Sequence, residues 1–222
     1  WKFAGGGFAA GCAFVISLIS CAFRTTPTEV VRSLWKSVFL RLAPTLPARD
    51  TDPCEACEQD KPWCPKQMWL LRHRIYLQRP DKCKVLFLGD SITEGWLDAG
   101  IDVWKQKFGE PMNAFNIGIG GDEVQHVLWR VQDSALRDLD PKVVVLMIGT
   151  NNLGVSGHSA ARIHQAIATL LRELKSHLPH SQFLLLGVLP RDEHPDTQFR
   201  KEIMSLNQLI KQFAEDEAKV VF

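Results

Sequence analysis

The 222-residue sequence lacks a charge excess of either sign: 26 Lys and Arg stand against 25 Asp and Glu, a formal net charge of +1. That balance removes the overall basic signature of a nucleic-acid binder and gives no reason to expect an acidic partner. Internal repeats and low-complexity tracts are also missing. No G-x-G-x-x-G is present, because Glu123 stands where the third glycine after Gly118 and Gly120 belongs, which argues against a dinucleotide site. No G-x-S-x-G surrounds Ser91, so the nucleophile elbow of an α/β-hydrolase is excluded as a motif match. Cys54-x-x-Cys57 has no second close pair after it, so a zinc ribbon is not built, and it lacks the strand–helix setting of a redox CxxC.

Charge is also absent from residues 3–23, between Lys2 and Arg24. About 20 apolar residues suffice to cross a bilayer. Small residues such as Gly7 and Gly11 fit the packing pattern of membrane helices. A signal peptide with an apolar core over 13–19 and Ser20-Cys21-Ala22 as its cleavage site is the rival reading. A buried soluble helix fits less well, because there is no polar face. The expectation is a membrane-anchored or secreted protein with membrane contact through residues 3–23 and no fixed orientation. Residues 28–42 read as an amphipathic helix, with Val31, Leu34, Val38 and Leu42 in one stripe; it would lie on lipid or pack on the domain. Residues 25–65 thus hold this helix and a proline-containing linker. Cys54, Cys57 and Cys64, with Cys83 further on, are expected to form two disulfides in an oxidising compartment.

The third part, residues 66–222, alternates strand and helix. After a helix over 66–78, strands are expected at 84–88, 114–117, 142–147, 182–188 and from 219. Helices are expected at 101–108, 124–136, 160–177 and 198–218. Val143 to Met147 has no polar alternation, the mark of a strand buried on both faces. The expectation is an α/β domain with a parallel sheet between helices. The chain starts at Trp1 and ends at Phe222 inside an expected strand, so both ends are expected to be cut.

Three loops leave the carboxyl ends of the first three strands: Gly89-Asp90-Ser91, Asn116 to Asp122, and Gly149-Thr150-Asn151-Asn152. Ligands of open α/β sheets bind at that edge. A hydroxyl, glycines that admit backbone N–H groups, and side-chain amides are the parts of acyl transfer. Taken singly, Ser91 reads better as a helix cap and Asn151-Asn152 as a turn; taken together, the three loops read as a catalytic site. His126 reads as structural. His158 and His194 lie in loops on the same edge.

Gly89-Asp90-Ser91-Ile92, Gly121-Asp122 and Gly149-Thr150-Asn151-Asn152 resemble the first three sequence blocks of the SGNH (GDSL-type) hydrolases. The likeness extends to the catalytic subunits of intracellular platelet-activating-factor acetylhydrolase and their bacterial relatives. It is carried there by His126-Val127-Leu128-Trp129-Arg130, Pro141-Lys142 and Leu189-Pro190-Arg191. The resemblance implies a flavodoxin-like three-layer αβα sandwich and a serine esterase acting on a small-molecule ester, with a short acyl group on a lipid or sugar. Ser91 would be the nucleophile, and the oxyanion hole would use the N–H groups of Ser91 and Gly121 and the Asn151 amide. It implies no metal or organic cofactor, and close relatives pair as dimers, so a homodimer is possible. The family's Asp-x-x-His follows its fifth strand and is expected beyond Phe222, which leaves this fragment inactive. A membrane-tethered binding module that keeps the fold without catalysis is the alternative.

Overall fold

The computed structural model describes residues 51–78 and 82–222. The expected hydrophobic segment over 3–23 and the amphipathic helix over 28–42 lie outside the described residues. Among those described, no helix is long and apolar enough to cross a membrane. They fall into two compact units. One holds residues 60–78. There Lys61 and Cys64 pair their backbones, and helix α1 (Lys66–Leu77) stacks buried Trp69 on His73.

The other unit, residues 51–59 and 82–222, is built on five parallel strands. They are β1 (Val85–Gly89), β2 (Ala114–Asn116), β3 (Val143–Met147), β4 (Gln182–Leu185) and β5 (Val220–Val221), in spatial order β2-β1-β3-β4-β5. Register runs Val85 beside Ala114 on one side and Val85 beside Val143 on the other. Between the strands come α2 (Ser91–Glu94), α3 (Ile101–Val103), α4 (Gly109–Met112), α5 (Val124–Arg130), α6 (Thr150–Gly154), α7 (Ala160–His177) and α8 (Gln198–Asp216).

The strand order explains the layers. β1 to β2 steps one way across the sheet, and every later crossover steps the other way. Crossovers are right-handed, so the first connection covers one face and the rest cover the opposite face. The side chains agree. Phe87 and Val145 point from the sheet into a cluster with Trp96, Trp104 and Phe108 of the first connection. Phe87 meets Trp104 edge-on at 5.0 Å and Phe108 at 5.5 Å. Alternate residues Leu86, Leu88, Val144, Leu146, Phe183 and Leu185 face the other way and are buried. Helix α7 buries Ile163, Ile167, Leu170, Leu171 and Leu174, one stripe at helical spacing.

Departures from the sequence expectations have local causes. The helix expected over 101–108 widens into a π turn, Trp104–Phe108, that lets both of its aromatic ends reach Phe87. The helix expected over 124–136 likewise ends in a π turn, Val131–Ala135. Strand β4 stops at Leu185, short of residue 188, because the Asn207 amide takes over the backbone of Val188. Its Oδ1 accepts from the Val188 N–H at 2.8 Å and its Nδ2 donates to the Val188 carbonyl at 2.9 Å. Two disulfides among Cys54, Cys57, Cys64 and Cys83 do not form, since Cys54 is a free thiol. Burial pushes its pKa up, and its backbone N–H holds the Asp52 carboxyl low instead.

Candidate active site

β1 lies where the chain reverses its direction across the sheet, with β2 on one side and β3 on the other. In this strand order the crevice beyond the carboxyl ends of β1 and β3 is the binding position. Gly89, the last residue of β1, sits opposite Met147. No side chain fits there: an added Cβ would stand 2.4 Å from the Met147 carbonyl oxygen and 2.3 Å from Thr93 Oγ1. The chain then turns sharply. Asp90 caps α2 by accepting the Ile92 N–H at 2.9 Å, and Ser91 opens the helix with its side chain exposed. Among the described residues, none hydrogen-bonds the Ser91 hydroxyl.

The loop after β2 is drawn along β1. Ile117 and Ile119 donate their N–H groups to the carbonyls of Phe87 and Gly89. Buried Asn116 donates to the Thr93 carbonyl at 2.6 Å and accepts from the Gly118 N–H at 2.8 Å. Gly118 lies so close to α2 that a Cβ would stand 2.6 Å from the Glu94 nitrogen. Ile119 to Asp122 then form a turn closed by the Asp122 N–H on the Ile119 carbonyl. Gly121 has φ +82° at its third position, the type II geometry that glycine permits. Arg130 grips both ends of this loop: its guanidinium donates to the Ile117 carbonyl at 2.8 Å and pairs with the Asp122 carboxylate at 2.7 Å, both side chains wholly buried.

The third loop is helical from its second residue. Gly149, at φ +119°, turns the chain into α6. Asn151 Nδ2 donates to the Asp122 carbonyl at 2.8 Å. Asn152 points into the protein, where Oδ1 accepts from the Val124 N–H and Nδ2 donates to Gln125 Oε1.

Ser91, Gly121 and Asn151 thus come from three strand ends on one edge, and hydrogen bonds tie their neighbours together. Glu94, three residues after Ser91, accepts the Gly120 N–H at 2.9 Å, and Asn151 holds Asp122. The histidines stand differently. His126 Nδ1 accepts the Glu123 N–H, a structural role at the start of α5. His158 Nδ1 is 3.3 Å from Asn152 Nδ2 and 3.8 Å from Glu123 Oε2, while His194 lies in an exposed loop. Sequence reasoning missed Glu94, Asn116 and Arg130. Asn116 carried a signal, since a polar residue closing a strand that is otherwise apolar needs a buried partner.

The family model of the GDSL-like Lipase/Acylhydrolase family matches residues 87–222. The chain belongs to this family. Among curated relatives, the human platelet-activating factor acetylhydrolase IB subunit alpha1 is 34% identical over 166 residues, 74% of this chain and 67% of its own. The bovine alpha1 subunit is 34% identical with 66% of its length covered. The rat alpha2 subunit is 36% identical over 145 residues, 64% of this chain and 60% of that one. The chain therefore spans two thirds or less of the length of the bovine alpha1 and rat alpha2 subunits. Two solved GDSL structures share the fold. A GDSL-like lipase from Bacteroides thetaiotaomicron is 24% identical with a TM-score of 0.53, covering 65% of this chain and 73% of its own. A member of the lipolytic G-D-S-L family from Veillonella parvula is 19% identical with a TM-score of 0.51, covering 62% and 75%.

Proposed function

We propose that the protein is a serine esterase that cleaves carboxylic esters with a short acyl group. One observation carries the reading: an exposed serine just past the carboxyl end of β1, at the point where the strand order reverses, shares a sheet edge with a type II glycine turn and with an asparagine amide hydrogen-bonded to that turn. Ser91 Oγ would attack the ester carbonyl carbon as a base takes its proton. The carbonyl oxygen would gain negative charge and be met by the N–H groups of Ser91 and Gly121 and by the second N–H of Asn151 Nδ2, whose first is held by Asp122. Fixed donors of this kind need no reorganisation as charge develops. Collapse of the adduct expels the alcohol and leaves an acyl-Ser91, which water then hydrolyses. The base and its orienter are expected from the family's Asp-x-x-His after the fifth strand. The acetylhydrolase relatives favour an acetyl ester, on a lipid or a sugar. Membrane contact through residues 3–23 and pairing as a homodimer belong to the same proposal.

The test is p-nitrophenyl acetate hydrolysis by the full natural chain and by Ser91→Ala. Loss of the nucleophile leaves only about 10³–10⁴ of acceleration over water. Ser91→Ala is expected to fall to that floor while folding normally. Equal rates in the two proteins would exclude Ser91 as nucleophile.

A further inference from the structure

The turn that carries Gly121 is made of two glycines at its centre, Gly120 and Gly121. Such a turn has no Cβ to bias it, so its central peptide can flip between type I and type II orientations at little cost. Something outside the turn must choose. That central peptide consists of the Gly120 carbonyl and the Gly121 N–H. Gln59 Nε2 donates to the Gly120 carbonyl at 3.3 Å. The peptide is trans and planar, so its carbonyl and its N–H point in opposite directions. Fixing the first aims the second away from Gln59. A hydrogen bond on the carbonyl also polarises the N–H and makes it a better donor.

Gln59 is wholly buried, and it precedes the family-matched region that begins at residue 87. The arm that brings it in is fastened at several points. Thr51 Oγ1 accepts from Gln125 Nε2, the Cys57 N–H donates to the Gln125 carbonyl, and Asp52 pairs with Arg162 of α7. On the far side of the turn, Glu94 holds the Gly120 N–H. The two sides of Gly120 are therefore gripped independently, one from the helix of the nucleophile and one from the arm.

We infer that Gln59 is a positioning residue for the esterase: by holding the Gly120 carbonyl it aims the Gly121 N–H as an oxyanion donor, which makes the arm over residues 51–59 part of the catalytic apparatus. This rests on the esterase reading. A duller role would be to satisfy a buried carbonyl, which any packed donor can do. The two differ in what they change.

The test uses the full natural chain with Gln59→Met, which keeps the volume without a donor, and Gln59→Glu, which sets a carboxylate against the Gly120 carbonyl. Active sites are titrated with a fluorophosphonate so that only folded molecules count. Turnover of p-nitrophenyl acetate and the affinity for a phenylboronic acid, which forms a tetrahedral adduct on serine, are then measured. The expected result is kcat per titrated site lower by about 10- to 100-fold, since losing one such donor outright costs about 10²–10³. KM stays within about twofold, and boronate affinity falls with kcat. Wild-type kcat per titrated site in both variants would overturn the inference. So would a loss of titratable sites with unchanged boronate affinity, the mark of a folding role alone. A wild-type protein that neither hydrolyses nor labels would instead remove the esterase reading, and this inference with it.

Discussion

At the scale of single residues, the site depends on groups that hold other groups. Asn151 gives one N–H to the Asp122 carbonyl, and the proposal assigns its other to the oxyanion. Asn151→Ala should lower kcat by about 10²–10³-fold, with a far-UV spectrum like the wild type; unchanged turnover would reduce Asn151 to a loop anchor. Arg130 is a test of stability. Its removal as Arg130→Met leaves the Asp122 carboxylate buried beside an apolar chain, and breaking such a pair costs about 3–5 kcal/mol. Urea unfolding should report that loss. His164 gives a pH dependence. It packs edge-on against Phe213 at 5.7 Å, and burial lowers its pKa. The unfolded chain therefore binds the proton more readily, at about pH 6.5. Stability from this group is complete above that value and declines as pH falls through it toward the lower folded-state pKa. His164→Gln should flatten that part of the stability profile.

At the scale of elements, close backbone approach matters more than any one bond. The loop after β2 lies on α2 with no room for a methyl group at Gly118. Gly118→Ala must push the Gly121 turn away from Ser91, so its kcat should fall by at least about tenfold, because small misplacements at a reacting centre are costly. An X-ray structure of that variant should show the turn displaced. The long elements were legible in the sequence for physical reasons. Helix α7 is bounded by a Ser159 cap and carries an unbroken apolar stripe, and the apolar run of β3 admits little besides a buried strand. The short ones were not. Helices α2 and α6 are single turns without periodicity, fixed by Asp90 and Gly149 and by tertiary bonds from Asn116, Glu94 and Asn152. Gln59 was invisible for the same reason: it sits in a stretch with proline and acidic residues that reads as linker, and only the fold shows that it meets Gly120.

At the scale of the whole molecule, strand order does most of the placing. Because β1 lies between β2 and β3, loops separated by some thirty residues of sequence meet at one edge, and Ser91 stands where they meet. The family match covers the sheet and its helices from residue 87, and the fold agrees with it. On the proposed function, this edge makes Ser91 a nucleophile. The most direct measurement is to treat the full natural protein with a fluorophosphonate, digest it and locate the adduct by mass spectrometry. One phosphonylated residue is expected, Ser91, with labelling abolished in Ser91→Ala and slowed when an excess of an acetyl ester is present during the reaction. An adduct on a different serine, or labelling that survives Ser91→Ala, would contradict the proposed function.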